Sequence, residues 1–188
     1  QLHIAVERDL KLPSLKNLKK EEILGVDVGE NNMAATSDGS LFKAGKLKND
    51  RDKYLSHRAR LQRNGSRNAK RKLRQISGRE RRHVEHINHN VSKTIVEKAS
   101  QSGKRLIVLE DLTHIRERIK AGHKVRARLH RWPFRELQQM IVDKASRLGM
   151  RVMFVDPRYT SKTCSACGAI GKRKKHRFEC HCGYRAHS

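Results

Sequence analysis

The chain has 188 residues and carries 44 Lys and Arg against 19 Asp and Glu, a formal charge of +25. A charge of that size opposes compaction unless a polyanion shares it, so nucleic acid is the expected partner; no apolar stretch of spanning length and no basic helix with an aromatic face speaks for a membrane. Hydrophobic residues are 36% of the chain but fall in distinct runs, which excludes a disordered polymer and leaves room for one domain with a small appendage.

Residues 1–6 alternate through Leu2, Ile4 and Val6 and read as a strand. A lysine-rich linker with Pro13 follows. Residues 23–28 form a second strand, and residues 33–36 and 41–44 form two more, joined through Ser37-Asp38-Gly39-Ser40. Asp-Gly between short apolar runs is a hairpin signal, so three antiparallel strands open the domain. Between Lys43 and Arg82 stand 16 Lys and Arg against three acids. Within that region residues 47–63 are expected to be helical, with a break at Asn64-Gly65-Ser66. A stronger helix covers residues 79–100, where Val84, Ile87, Val91, Ile95 and Ala99 recur at helical spacing and Gly103 supplies a C-terminal cap. Residues 105–109 are a compact apolar strand running into Glu110-Asp111. A basic loop at 113–131 leads to Pro133 and a helix with Phe134, Leu137, Met140, Ile141, Ala145 and Leu148 on one side; residues 151–155 form a last buried-type strand. The order is βββ–α–β–α–β followed by a cysteine segment.

Two acids terminate apolar strands. Asp27 follows Ile23-Leu24-Gly25-Val26, and Glu110 follows Leu106-Ile107-Val108-Leu109. If those strands are neighbours, their ends bring the carboxylates together, and repulsion between them favours divalent cations. A pair of Mg²⁺ ions in such a site activates water and stabilises a leaving oxygen in phosphodiester cleavage.

All four cysteines lie in one stretch: Cys164-x-x-Cys167-Gly168, then Cys180-His181-Cys182-Gly183. Four thiolates so spaced suit tetrahedral Zn²⁺ in a structural role. The second pair has one residue between its cysteines where zinc ribbons have two, so a set in which His181 or His176 replaces a thiolate stays open, as do unpaired or disulfide-bonded cysteines. Three basic blocks suggest a groove that tracks phosphates. The residues singled out are Arg58, Arg63, Arg67, Lys70, Arg71, Arg74, Arg126, Arg128, Arg158 and Lys162. Trp132, Phe134 and Tyr159 are the candidate stacking rings. His83, His86 and His89 read as a solvated or phosphate-facing stripe rather than a metal site.

Gly25-Val26-Asp27-Val28-Gly29, the strand end Leu109-Glu110-Asp111-Leu112, and Asp156-Pro157-Arg158-Tyr159-Thr160-Ser161-Lys162-Thr163-Cys164-Ser165-Ala166-Cys167-Gly168 resemble the TnpB family. These are transposon-encoded, RNA-guided nucleases, often called OrfB-type transposases and related to type V CRISPR effectors. The likeness runs over nearly everything from Ile23 to Ser188. It implies an α/β fold: an RNase H-like (RuvC) mixed sheet with flanking helices over residues 21–157, and a zinc ribbon over 158–188. Residues 1–20 resemble the end of the family's N-terminal β-barrel domain. The resemblance further implies that Asp27 and Glu110 are the first two acids of a RuvC-type Mg²⁺ centre cutting DNA, that the partners are DNA and guide RNA, and that the protein works in a prokaryotic cytoplasm at the nucleoid. The family's third acid follows the last cysteine, whereas this chain runs Cys182-Gly183-Tyr184-Arg185-Ala186-His187-Ser188. The expectation is therefore a piece cut from a longer protein and inactive in this form, with Asp111 and Asp156 as less favoured replacement ligands. Two rivals remain: a strand-transferring transposase on the same acids, and a non-catalytic zinc-ribbon protein that binds nucleic acid.

Overall fold

The fold comes from a computed structural model that describes residues 10, 12–113, 134–174 and 177–187. The expected strand at 1–6, most of the basic loop at 113–131, and Arg126, Arg128, Trp132 and Pro133 lie outside them.

The three opening strands are β1 (Ile23–Asp27), β2 (Asn32–Thr36) and β3 (Leu41–Lys43), paired antiparallel as expected. Asp38 closes the β2–β3 turn by accepting from the Thr36 hydroxyl and from the Ser40 amide at 3.0 Å. Those two bonds hold its carboxyl below the ordinary range.

Three helices follow: α1 (Gly45–Asn64), α2 (Arg67–Ile76) and α3 (Arg79–Gln101). The break between α1 and α2 falls where the sequence places it. The helix after it was not anticipated, although Ser66 caps it by accepting from the Ala69 amide at 3.2 Å. Each of the first two helices buries a single residue, Leu47 in α1 and Ala69 in α2. They form a basic hairpin held to α3 by Arg51–Glu80 at 2.9 Å and His83–Asp50 at 3.2 Å.

Helix α3 buries Val84, Ile95, Val96 and Ala99, and with them Asn88 and Ser92. Ile87 and Val91, expected on the apolar stripe, are only partly buried. The stripe is rotated because α4 (Phe134–Arg147) packs against it with polar partners. Asn88 Nδ2 donates to Glu136 Oε2 at 3.1 Å, and Lys144 Nζ donates to Ser92 Oγ at 2.9 Å. Burial at this seam lowers the pKa of Lys144. Asn88 Nδ2 and the Ser92 hydroxyl are satisfied across this seam, whereas Asn88 Oδ1 is buried with no hydrogen-bond partner among the described residues.

β4 (Leu106–Glu110) and β5 (Arg151–Val155) complete a mixed sheet in the order β3-β2-β1-β4-β5. β1, β4 and β5 run parallel. Helices α3 and α4 both end at a left-handed glycine, Gly103 (φ 68°) and Gly149 (φ 71°). In each, the following amide reaches back to the last turn: Lys104 to the Ala99 carbonyl at 2.9 Å and Met150 to the Ala145 carbonyl at 3.0 Å. The chain thereby reverses straight into β4 and β5, which fixes their parallel direction. One face of the sheet carries Leu24, Val26, Ile107 and Leu109 into a core with Ile95, Leu137 and Ile141. The other carries Gly25, Val108 and Met153, none of which joins that core.

After β5 come a single 3₁₀ turn at Thr160–Lys162 and three short strands: β6 (Lys172–Lys174), β7 (Arg177–Glu179) and β8 (Arg185–His187). They form a separate antiparallel sheet in that order.

Candidate active site and metal centre

Strands β1 and β4 are direct neighbours, with Val26 opposite Leu109. The next residue of each is Asp27 and Glu110, so two carboxylates separated by 83 residues of chain stand side by side at the same end of the sheet. They line a shallow cleft of about 390 Å³ with Gly25, Ser37, Val155 and Thr160. Asp27 is exposed and Glu110 half-buried.

Glu110 is held from two sides. Its backbone carbonyl accepts from Gln138 Nε2 of α4 at 2.7 Å, and its Oε1 accepts from Thr160 Oγ1 at 2.6 Å. On the other strand, Ser37 clasps the Gly25 backbone: its Oγ accepts from the Gly25 amide at 3.0 Å and its amide donates to the Gly25 carbonyl at 2.8 Å. Gln138 does not stand out in the sequence, whereas Ser37 lies in the hairpin turn and Thr160 in the Asp156–Gly168 stretch, neither with a site role of its own.

The donors gathered here are hard oxygens, and two neighbouring carboxylates offer the negative charge that Mg²⁺ requires. Asp111 and Asp156 do not join them. Asp111 Oδ1 accepts from the Thr113 amide and Asp156 Oδ1 from the Arg158 amide, each at 2.9 Å, so both close local turns. Among the described residues, the only group of three or more potential ligands close enough to share an ion is Cys164, Cys167, Cys180 and Cys182.

Those four sulfurs lie within 4.8 Å of one another. The closest pairs, Cys164–Cys182 and Cys167–Cys180, are 3.6 and 3.5 Å apart. A tetrahedral Zn²⁺ with Zn–S bonds of about 2.3 Å has sulfurs about 3.8 Å apart, so the quartet fits zinc. The separations are far beyond the length of a disulfide. The first pair sits on a knuckle in which the Cys164 carbonyl accepts from the Gly168 amide at 2.9 Å. The second lies in the β7–β8 turn, where the Cys180 carbonyl accepts from the Gly183 amide at 3.1 Å. His181 Nδ1 is 3.7 Å from Cys180 Sγ but outside the quartet; His176 is outside the described residues. Burial opposes ionisation of Cys164, yet the amides of Cys167 and Ala166 and the neighbouring thiols outweigh it and bring its pKa to about 7. At Cys167 the Ala169 amide favours the thiolate, but the Cys182 and Cys180 sulfurs prevail and push it up to about 12.

Arg58, Arg63, Arg67, Lys70, Arg71 and Arg74 are all exposed on the α1–α2 hairpin. Arg158 and Lys162, also exposed, stand two residues either side of Thr160 in the chain and are not among the residues that line the acid cleft. Of the candidate rings, Phe134 belongs to the core and Tyr159 is 59% exposed. The three helix histidines go separate ways: His83 to Asp50, His86 to Asn90 and His89 to Lys144.

Comparison with known proteins places this geometry among relatives. A family described as a probable transposase (OrfB_IS605) matches residues 1–116, and a Cas12f1-like TNB domain matches residues 134–188. A TnpB-like protein, MJ0751 of Methanocaldococcus jannaschii, is 35% identical over 79% of this chain and 57% of its own length. The CRISPR-associated endodeoxyribonuclease Cas12f1 of Syntrophomonas palmitatica is 30% identical over 89% of this chain and 37% of its own length. The chain thus spans between a third and three fifths of these two relatives. Among solved structures, a cryo-EM structure of a Cas12f1–sgRNA–target DNA complex superposes with a TM-score of 0.67 at 21% identity, covering 88% of this chain and 46% of that one. A CRISPR–Cas12f ternary complex gives a TM-score of 0.70 at the same identity, covering 98% and 39%.

Proposed function

Because the chain belongs to the TnpB family of OrfB-type probable transposases, we propose that it forms the DNA-cutting part of an RNA-guided, Mg²⁺-dependent nuclease. Residues 21–157 are its RuvC-type, RNase H-like domain, residues 158–188 its zinc ribbon, and residues 1–20 the end of a preceding domain. The observation that carries the reading is the juxtaposition of Asp27 and Glu110 at the ends of adjacent parallel strands.

Asp27 and Glu110 hold the divalent cations, and the chemistry such ions supply is activation of water and stabilisation of the departing oxygen. The cleft opens to solvent on the Asp27 side, so a sugar–phosphate backbone reaches the acids without displacing protein. Arg158 and Lys162 neutralise the flanking phosphates, and the basic hairpin of α1 and α2 follows the backbone further along. With aromatic residues only 4% of the chain, base stacking on protein rings is limited, and sequence choice falls to a guide RNA paired with the target. The protein works in a prokaryotic cytoplasm, on nucleoid DNA. Zn²⁺ held by Cys164, Cys167, Cys180 and Cys182 is structural, since four thiolates leave no open position. With two acids in the cleft among the described residues, the 188-residue chain alone cuts slowly or not at all.

The test uses the full product of the gene, purified with the RNA that accompanies it and assayed for Mg²⁺-dependent cleavage of DNA. Cleavage lost in Asp27→Ala supports the nuclease. A product in which a 3′ end is joined to target DNA moves the assignment to strand transfer. Tight RNA binding with no cleavage, unchanged in Asp27→Ala, leaves a binding protein.

A further inference from the structure

Glu110 is the acid whose side chain is tethered, and the tether comes from the cysteine segment. Thr160 Oγ1 lies 2.6 Å from Glu110 Oε1 and 3.0 Å from the Pro157 carbonyl. A hydroxyl has one proton, and the shorter, charge-assisted bond to the carboxylate takes it. With one lone pair of Oε1 so engaged, Oε2 is the less encumbered oxygen to meet a cation.

The turn that carries Thr160 is over-determined. Tyr159, before it, is the one non-glycine residue with positive φ (63°) among the described residues. A conformation of that kind costs on the order of 1–3 kcal/mol and persists where its surroundings enforce it. Here the Tyr159 carbonyl accepts from the amides of Lys162 at 2.7 Å and Thr163 at 2.8 Å. The next contacts belong to the cysteine module: Gly171 donates to the Lys162 carbonyl at 2.7 Å, Thr163 bridges to Ile170, and Cys164 donates to the Ala169 carbonyl at 2.8 Å.

We propose that Thr160 is a positioning residue for the acid pair: its hydroxyl fixes the Glu110 carboxylate so that its second oxygen faces the cation, and the cysteine module holds that hydroxyl in place. The inference rests on the reading of Asp27 and Glu110 as cation ligands. Partners that orient metal ligands are worth about 10–100-fold in metal affinity.

The experiment is Mn²⁺ binding to the zinc-loaded full-length protein, followed by the electron paramagnetic resonance signal of free Mn²⁺, so that no catalysis is needed. Four proteins are compared: wild type, Thr160→Val, which keeps the shape and removes the donor, Thr160→Ser, which restores the donor, and Glu110→Gln. Thr160→Val is expected to weaken Mn²⁺ binding about 10–100-fold and Thr160→Ser to recover most of the loss. Wild-type affinity in Thr160→Val beside a clear loss in Glu110→Gln overturns the proposal and leaves the metal reading standing. A loss in Thr160→Val that Thr160→Ser does not recover also overturns it, because the turn rather than the hydroxyl is then responsible. Binding unchanged even in Glu110→Gln defeats the underlying assignment of the acids, and the proposal with it.

Discussion

Asp27→Asn should raise thermal stability when divalent cations are absent and remove the stabilisation they bring. Adjacent parallel strands are about 4.8 Å apart, so two carboxylates on neighbouring strand ends approach to on the order of 5 Å, where like charges in water repel by about 0.8 kcal/mol. Asp27 is exposed, which places the pair near that aqueous limit, and salt reduces the repulsion further. For a chain of this length 1 kcal/mol moves Tm by about 2–4 °C, so neutralising Asp27 in EDTA should gain about 2 °C. In wild type, Mg²⁺ at ten times its Kd adds about 1.4 kcal/mol, a rise of about 4 °C. The variant should show little of that rise. Asp52→Asn is the control: it is an exposed acid on α1, and either change takes the formal charge from +25 to +26, so global charge cancels from the comparison. Differential scanning fluorimetry in EDTA and in Mg²⁺ reads both effects. If Asp27→Asn melts no higher than Asp52→Asn in EDTA and still gains from Mg²⁺ as wild type does, the two acids are not a cation site.

Other consequences follow from the cysteine module and the hairpin. With the Cys164 thiol ionising near pH 7 and Cys167 held at about 12, Zn²⁺ must displace protons from most of its ligands, so its affinity should climb steadily as pH rises from about 6 to 8; a flat profile by competition with a chelating dye refutes the thiolate quartet. Gly171→Ala should release zinc, because a Cβ there would sit 2.5 Å from Phe178 Cζ and 2.7 Å from the Glu179 carbonyl oxygen. The main melt should be unaffected, and a zinc content equal to wild type would refute the packing argument. Replacing Arg67, Lys70, Arg71 and Arg74 together by Ala should flatten the log–log salt dependence of nucleic-acid binding by about 3–4 units if each meets a phosphate. An unchanged slope takes α2 out of the interface.

The parts of this molecule legible in the sequence are those whose cause is local. The hairpin at Asp38-Gly39, the strands of β-branched and aliphatic residues, and the glycine after each long helix all appear in the structure where the residue order puts them. The two acids could be read as well, because a carboxylate that abruptly ends an apolar strand is visible without knowing the partner strand. What the residue order does not contain is the pairing. That β1 lies beside β4 rather than elsewhere follows from tertiary packing, and so do the errors. Asn88 and Ser92 are not part of the expected apolar stripe of α3, yet both are fully buried, where Glu136 and Lys144 meet them from a helix about fifty residues away. Helix α2 is absent from the expected elements although Ala69, Leu73 and Ile76 recur at i, i+4 and i+7 behind the Ser66 cap, because three apolar residues are a short period within a run of Arg and Lys.

The same distinction separates the acids from the groups that steer them. Asp27 and Glu110 declare themselves by type and place, whereas Gln138 and Thr160 are ordinary helix and turn residues until the fold brings them to Glu110 from 28 and 50 positions away. Their contacts divide the task by atom. Gln138 grips the backbone oxygen and so fixes where the strand end lies, while Thr160 grips one carboxylate oxygen and so fixes how the side chain turns. Among the described residues no side chain clasps the Asp27 carboxylate; its strand is held through the pairing with β2 and through Ser37 on the backbone of Gly25, two residues earlier. An asymmetric pair follows, one carboxylate set and one free to adjust. Glu110 would offer a divalent cation a carboxylate already oriented, and Asp27 would complete the pair with one that can adjust. On that argument, loss of the Thr160 hydroxyl weakens the oriented contact, whereas loss of the Asp27 carboxylate removes the adjustable one.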